Sequence, residues 1–278
     1  MKIAESMGGR GQPGDYVKDP GPFFVKLDKA YQHLQKKVEG VHPAPGMADC
    51  ILDADLAGIL SHEAIGHTTE ADLVRGGSVA GDHMNRLVAS PLITLVDYAS
   101  EAGGETCPVP VYVDDEGTPA KDVKIIEKGV LRSFLHSRET ALEFGVEPTG
   151  NARGFRFSDE PLIRMRNTAI VPGESTLEEM ISSIDNGYYL MKSSNGQADS
   201  TSEFMFGVTL GYEIRGGKLG RALKDMTISG VAFDVLKTVS AVSGDMKWEC
   251  GGMCGKKQPI PVGMGGPAVK CRVNIGGK

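Results

Sequence analysis

Hydrophobic and polar positions divide the chain into a short helical opening and a longer stretch of brief strands. Within residues 26–39, Leu27, Ala30, Tyr31, Leu34 and Val38 recur at three- and four-residue intervals, which predicts an amphipathic helix. Residues 5–22 before it are rich in Gly, Pro and Asp and read as loop. A Pro/Gly linker at residues 42–46 leads to a short apolar strand, Cys50-Ile51-Leu52. Leu56, Ile59 and Leu60 then return to helical spacing, with Asp53 or Asp55 placed to cap that helix. Beyond it, β-branched runs at 92–96, 110–113, 123–126 and 130–135 predict strands, the last two joined by a hairpin turn at Lys128-Gly129. Residues 163–170 alternate as a strand, and Arg215-Gly216-Gly217 joins strands at 204–214 and 218–223. A closing strand is expected at 269–275, and helices at 137–144, 176–184 (capped by Thr176) and 233–242. Strands outnumber helices and tight turns join several of them. The pattern predicts an α+β fold with largely antiparallel sheets, one chemistry-bearing helix and a few peripheral ones.

The chemistry of that helix lies in Ser61-His62-Glu63-Ala64-Ile65-Gly66-His67. Two imidazoles bracket a carboxylate, as in the H-E-x-x-H motif, where both histidines hold zinc and the Glu acts as general base on a metal-bound water. Here the spacing is one residue longer. On a regular helix, residues five apart diverge by about 140°, too far to share one ion. An i→i+5 π-turn would absorb the extra residue, and Gly66, without a Cβ, tolerates a distorted backbone. An irregular helix is therefore expected at residues 62–67, with Glu63 reaching the water rather than the metal. The alternative is a pair of ordinary helix-surface histidines beside a solvated Glu.

A catalytic zinc site usually has three protein ligands, so a third must come from elsewhere. Cys254 sits among Gly251, Gly252 and Gly255, where the backbone can bend to present a thiolate. Lys256 and Lys257 would favour its anionic form. Cys250 and Cys254 could instead pair with one another or bind a structural metal, with Cys271 as the remaining candidate. Glu70, three residues after His67, is a candidate acceptor for an imidazole N–H or else a solvated helix Glu. His83 reads as a surface-loop residue, His136 as structural, and His33 and His42 as surface residues. Asp114-Asp115-Glu116-Gly117 lacks the alternating oxygens and closing Glu of a calcium loop and reads as a β-turn. The polar, glycine-rich stretches at 150–154 and 195–199 suit either turn duty or presenting backbone groups to a peptide.

Composition narrows the function classes. The chain has 278 residues, 40% hydrophobic and 24% charged, with 37 glycines and a net charge of −6, enough for a substantial core. It lacks the concentrated basic patch of a nucleic-acid binder. No apolar run is long enough for a membrane helix, and residues 1–6 lack a signal-peptide core. Five cysteines do not form the framework of a small secreted domain, so reduced thiols in the cytoplasm are expected.

Several separated motifs together resemble the TldD/PmbA (TldD/TldE) metalloprotease family. They are Ser-His-Glu-Ala-Ile-Gly-His-Thr-Thr-Glu-Ala-Asp at 61–72, Asp-Asp-Glu-Gly-Thr-Pro at 114–119 and Pro-Thr-Gly-Asn-Ala-Arg at 148–153. Asn-Gly-Gln-Ala-Asp at 195–199 and Met-Cys-Gly-Lys-Lys-Gln-Pro-Ile-Pro-Val-Gly at 253–263 complete the set, in the family's order. The resemblance runs over residues 5–277. It implies a zinc peptidase with His62, His67 and Cys254 as ligands to Zn²⁺ and Glu63 as catalytic base. An unfolded peptide would be the substrate, bound as an added strand, and the assembly a homodimer or a heterodimer with a TldE-like subunit. The inactive partner type lacks the ligands, so their presence resembles the active TldD-like subunit. Family members carry a further N-terminal domain that His62 comes too early to follow. Residues 1–46 thus resemble the remnant of a central segment, and 47–278 the C-terminal metallopeptidase domain. The chain reads as a short homologue, a truncated product or half of a split enzyme. The rival reading is a non-catalytic or incomplete subunit of a heteromeric complex.

Overall fold

The computed structural model describes residues 1–276, and of residues 249–251 the backbone alone. Two sheets dominate it, and most strand pairs are antiparallel. The exceptions are Gly46–Leu52 beside Asn186–Ala198, and Asn167–Ile170 beside Ile260–Gly266. In the first sheet, Gly46–Leu52 pairs with Asn186–Ala198 on one side and Val269–Gly276 on the other. Glu203–Arg215 and Met226–Val231 carry the pairing round from Asn186–Ala198 back to Val269–Gly276, so these five strands close a ring. The second sheet runs Lys247–Cys254, Ile260–Gly266, Asn167–Ile170, Leu95–Tyr98, Val123–Glu127, Val130–Leu131. The α+β, largely antiparallel architecture expected from the sequence is the one observed.

Between the sheets runs one continuous helical segment. Ala54–Ile59 is α-helical, Leu60–Gly66 is a π-turn, and His67–Thr69 tightens to 3₁₀. The segment packs on strands of both sheets. Leu56, Ala57, Leu60, Ala64 and Ile65 are buried in the largest core cluster. Gly58 permits the close approach: a Cβ there would stand 2.9 Å from the backbone nitrogen of Gly265. A π-turn leaves carbonyls without their usual donors. The hydroxyls of Thr68 and Thr69 donate to the carbonyls of Ala64, Ile65 and Gly66, and Ser202 adds a bond to Ala64.

Several expectations need correction. The N-terminal helix spans Gly21–Val38, longer than expected, and a short helix at Pro13–Val17 stands in the presumed loop. Its apolar stripe is largely uncovered, with Tyr31 62% and Val38 57% exposed, while Lys37 is the buried residue of the helix. Asp53 takes the N-cap position without a side-chain capping bond, and Asp55 accepts from Ser193. The 110–113 strand does not form, the strand begun at Val130 ends at Leu131, and 163–170 is broken. It breaks because Arg164 and Arg166 point inward and donate to buried carbonyls. The 233–242 helix stops at Lys237, and Ala241–Val242 joins the first sheet. Both glycine hairpins form as expected: Lys128 and Gly129 take φ of 47° and 84°, Gly216 and Gly217 of 53° and 71°.

Candidate metal centre

The π-turn brings the two histidines together. The backbone N–H of His67 donates to the carbonyl of His62, an i→i+5 bond across the pair itself, and the ring centroids lie 5.2 Å apart. Gly66 does not serve the expected role of tolerating a distorted backbone. Its φ of −56° and ψ of −53° are ordinary helical values. Its missing Cβ matters because Met165 packs against that spot.

Cys254 reaches the histidines from the far end of the chain. It is not in a loop, as expected, but is the last residue of Lys247–Cys254, which pairs with Ile260–Gly266 in a hairpin. One donor atom each from His62, His67 and Cys254 lies within 4.8 Å of the others. Cys254 Sγ stands 3.2 Å from His67 Nε2. His62 is fully buried, and neither of its ring nitrogens has a hydrogen-bond partner among the described residues. A buried imidazole with two unsatisfied nitrogens is costly unless something fills its lone pair. Two nitrogens and a thiolate are a borderline-soft set that suits zinc. The residues fit a metal.

The electrostatics point the same way. Burial alone would lower the His67 pKa, but hydrogen bonds to Cys254 and Glu70 outweigh it and raise it to about 10. Burial alone would raise that of Cys254, yet the two imidazoles pull it down to about 4, although the ring nitrogens of His62 do not meet hydrogen-bond geometry. Both shifts favour an imidazolium–thiolate pair in the metal-free site. Glu63, one-quarter exposed, holds Oε2 3.8 Å from His67 Nε2, beside the cluster. Glu70 is fully buried, and its Oε2 lies 3.0 Å from His67 Nδ1.

Other sequence candidates sort differently. Lys256 does not face the thiolate; it pairs with Glu70 and Asp72. The Cys250 side chain lies outside the described residues, and Cys271 is buried opposite Cys50 in the first sheet. His83 rests against Phe233, His136 bonds Thr140 and His33 bonds Tyr212, all away from the cluster. His42 is exposed. Asp114 closes a turn by accepting from the N–H groups of Glu116 and Thr118. In the 150–154 stretch Asn151 and Arg153 are buried and bonded within the protein, whereas residues 194–197 are exposed. Sequence reasoning missed Arg164. Wholly buried, it donates to the carbonyls of Cys254, Lys256 and Gln258 and holds the hairpin end in place. Its only signal was a charged residue in an alternating run, which ordinarily marks a solvent face.

Comparison with known proteins identifies the family of the chain. Residues 45–277 match the PmbA/TldA metallopeptidase C-terminal domain. A metalloprotease of Methanocaldococcus jannaschii is 40% identical over 258 residues, covering 89% of this chain and 56% of that protein. A zinc metalloprotease TldD homolog of Saccharolobus solfataricus is 33% identical over 257 residues, covering 90% and 57%. The crystal structure of TldE from Thermococcus kodakarensis superposes with a TM-score of 0.72 at 21% identity, over 90% of this chain and 54% of that one, a likeness of fold. The chain spans a little over half the length of these relatives. With the domain match covering most of its residues, the chain belongs to the PmbA/TldD metallopeptidase family.

Proposed function

We propose that this protein is a zinc-dependent peptidase acting on unfolded peptides, with His62, His67 and Cys254 as the metal ligands and Glu63 as general base. The observation that carries the reading is the convergence of those three donors, two of them on a π-turn and the third from a distant strand. Zinc held there would supply Lewis acidity, lowering the pKa of a water and polarising a peptide carbonyl. Glu63 takes the proton from the attacking water and returns it to the leaving amine. Glu70 accepts from Nδ1–H of His67, which fixes the tautomer and turns the Nε2 lone pair towards the metal. Lys247–Cys254 is an edge strand of its sheet among the described residues, which supports a substrate bound as an added strand through main-chain hydrogen bonds. A thiolate ligand needs a reducing setting, in keeping with the cytoplasm; no helix among the described residues is long and apolar enough to cross a membrane.

A second reading is a subunit completed by a partner, in a homodimer or beside a TldE-like chain. The likeness to TldE and the uncovered apolar stripe of Gly21–Val38 favour it. Replacing Glu63 by Gln tests the first reading. Zinc should remain bound while hydrolysis of an unfolded protein such as casein falls by about 10²–10⁴-fold. Unchanged turnover would remove Glu63 from the role of base.

A further inference from the structure

Lys256 lies two residues beyond Cys254, yet its side chain turns away from the thiolate and towards the histidine helix. Its ammonium donates to Asp72 Oδ2 at 2.6 Å and the Ile163 carbonyl at 3.2 Å, and forms an ion pair with Glu70 Oε2 at 3.1 Å. The side chain is only 13% exposed, and the carboxylate of Glu70 is wholly buried. The same Glu70 Oε2 meets His67 Nδ1 at 3.0 Å. One carboxylate oxygen thus stands between a ligand imidazole and a lysine on the hairpin that presents another ligand.

We infer that Lys256 is a positioning residue for the metal centre, acting through Glu70 to set the orientation of the His67 ring. The inference rests on the metal-site reading above and extends it to a residue that touches neither metal nor substrate. Glu70 Oε1 has no hydrogen-bond partner among the described residues, so the carboxylate is held through Oε2 alone. If Lys256 is removed, His67 becomes the only group fixing that oxygen, and the carboxylate can swing about its terminal torsion. The ring that should be held by Glu70 must then hold it. The arrangement also ties the two ligand sources together. Arg164 binds the carbonyls of Cys254 and Lys256, so a shift of Cys254 is transmitted to the lysine and on to His67. Loss of a partner behind a ligating histidine typically weakens metal binding by about ten- to a hundredfold.

The test is zinc affinity, measured by competition with a chromophoric chelator, for wild type, Lys256→Met, Glu70→Gln, the double variant and Asp72→Asn. Lys256→Met and Glu70→Gln should each weaken binding by about ten- to a hundredfold. The double variant should be no weaker than the worse single, since both cut one chain of contacts. Asp72→Asn removes the charge of the other anchor of the same lysine and should leave affinity within about threefold, below the range for a partner behind a ligand. A merely structural tie between hairpin and helix would instead lower it in step with Lys256→Met. Equal affinity of Lys256→Met and wild type, or losses that multiply in the double variant, overturns the inference alone. A folded wild type that takes up no zinc overturns it together with the reading on which it rests. Thermal midpoints of the metal-free proteins are followed alongside. Should Lys256→Met not fold, Glu70→Gln against Asp72→Asn decides, and equal losses in those two overturn the inference.

Discussion

Two helices carry similar apolar stripes in the sequence and meet opposite fates. Gly21–Val38 leaves Phe24, Leu27, Tyr31 and Val38 exposed and buries Lys37, which pairs with Asp225. The run from Ala54 to Thr69 sits between two sheets with Leu56, Leu60 and Ile65 fully covered. Stripe spacing predicts that a helix can form; it does not say which surface will cover it. The second helix is covered because Gly58 and Gly66 let backbone and Met165 approach where a Cβ would stand. The site-bearing helix is positioned by small residues as much as by large ones.

The largest effect is expected at Leu60, which is 1% exposed and opens the π-turn. Leu60→Ala should destabilise by about 2–5 kcal/mol in denaturant titration, by lost burial and the cavity left behind. A loss below about 1 kcal/mol would mean that the helix is not held between the sheets as described.

The next effect is electrostatic and belongs to the buried helix alone. With its pKa raised to about 10, His67 carries a proton at neutral pH in the metal-free protein, whereas Cys254, lowered to about 4, does not. Zinc must therefore displace one proton from His67 and none from Cys254. Apparent zinc affinity should rise about tenfold per pH unit between roughly pH 5 and 9 and level off above the His67 value. For folding of the metal-free protein, the raised His67 pKa contributes stability that is full below about pH 6.5 and lost as pH climbs through about 10. The lowered Cys254 pKa contributes stability present above about pH 8.5 and lost as pH falls through about 4. Calorimetric titration in buffers of different ionisation enthalpy counts the released protons. A pH-independent affinity would show that the pair carries no proton for zinc to displace.

The smallest effect is expected on the uncovered stripe. Leu27, 42% exposed, should tolerate alanine within about 0.5 kcal/mol. A larger loss in the isolated chain would mean that this face is packed in solution, for instance against a second copy, and a size measurement would then show the assembly.

Much of the site was legible because it rests on angular geometry. Five-residue spacing cannot serve one ion on an α-helix, and the π-turn at Leu60–Gly66 is the physical answer. The Lys128-Gly129 hairpin was legible for a similar reason, since two left-handed residues match strand twist. What escaped was carried by residues whose polarity hides their place. Asn186–Ala198 contains Lys-Ser-Ser-Asn-Gly-Gln, which reads as loop, yet it forms a long strand with irregular register past Leu190. Arg164 and Arg166 look like a solvent face, but their guanidinium groups satisfy buried carbonyls and, for Arg166, the carboxylate of Asp97. Lys256 looked like a neighbour of the thiolate by sequence distance; the strand end at Cys254 turns it to the helix instead. Local periodicity sees none of these, because their partners lie many residues away.

The central claim is that three side chains from opposite ends of the chain form one metal site. Zinc content by mass spectrometry of the purified protein, with His62→Ala and Cys254→Ala beside it, tests that claim most directly. Wild type should hold about one zinc per chain, one ion for three protein ligands, and either variant little. Full zinc retained in Cys254→Ala, or none in a folded wild type, would contradict the claim.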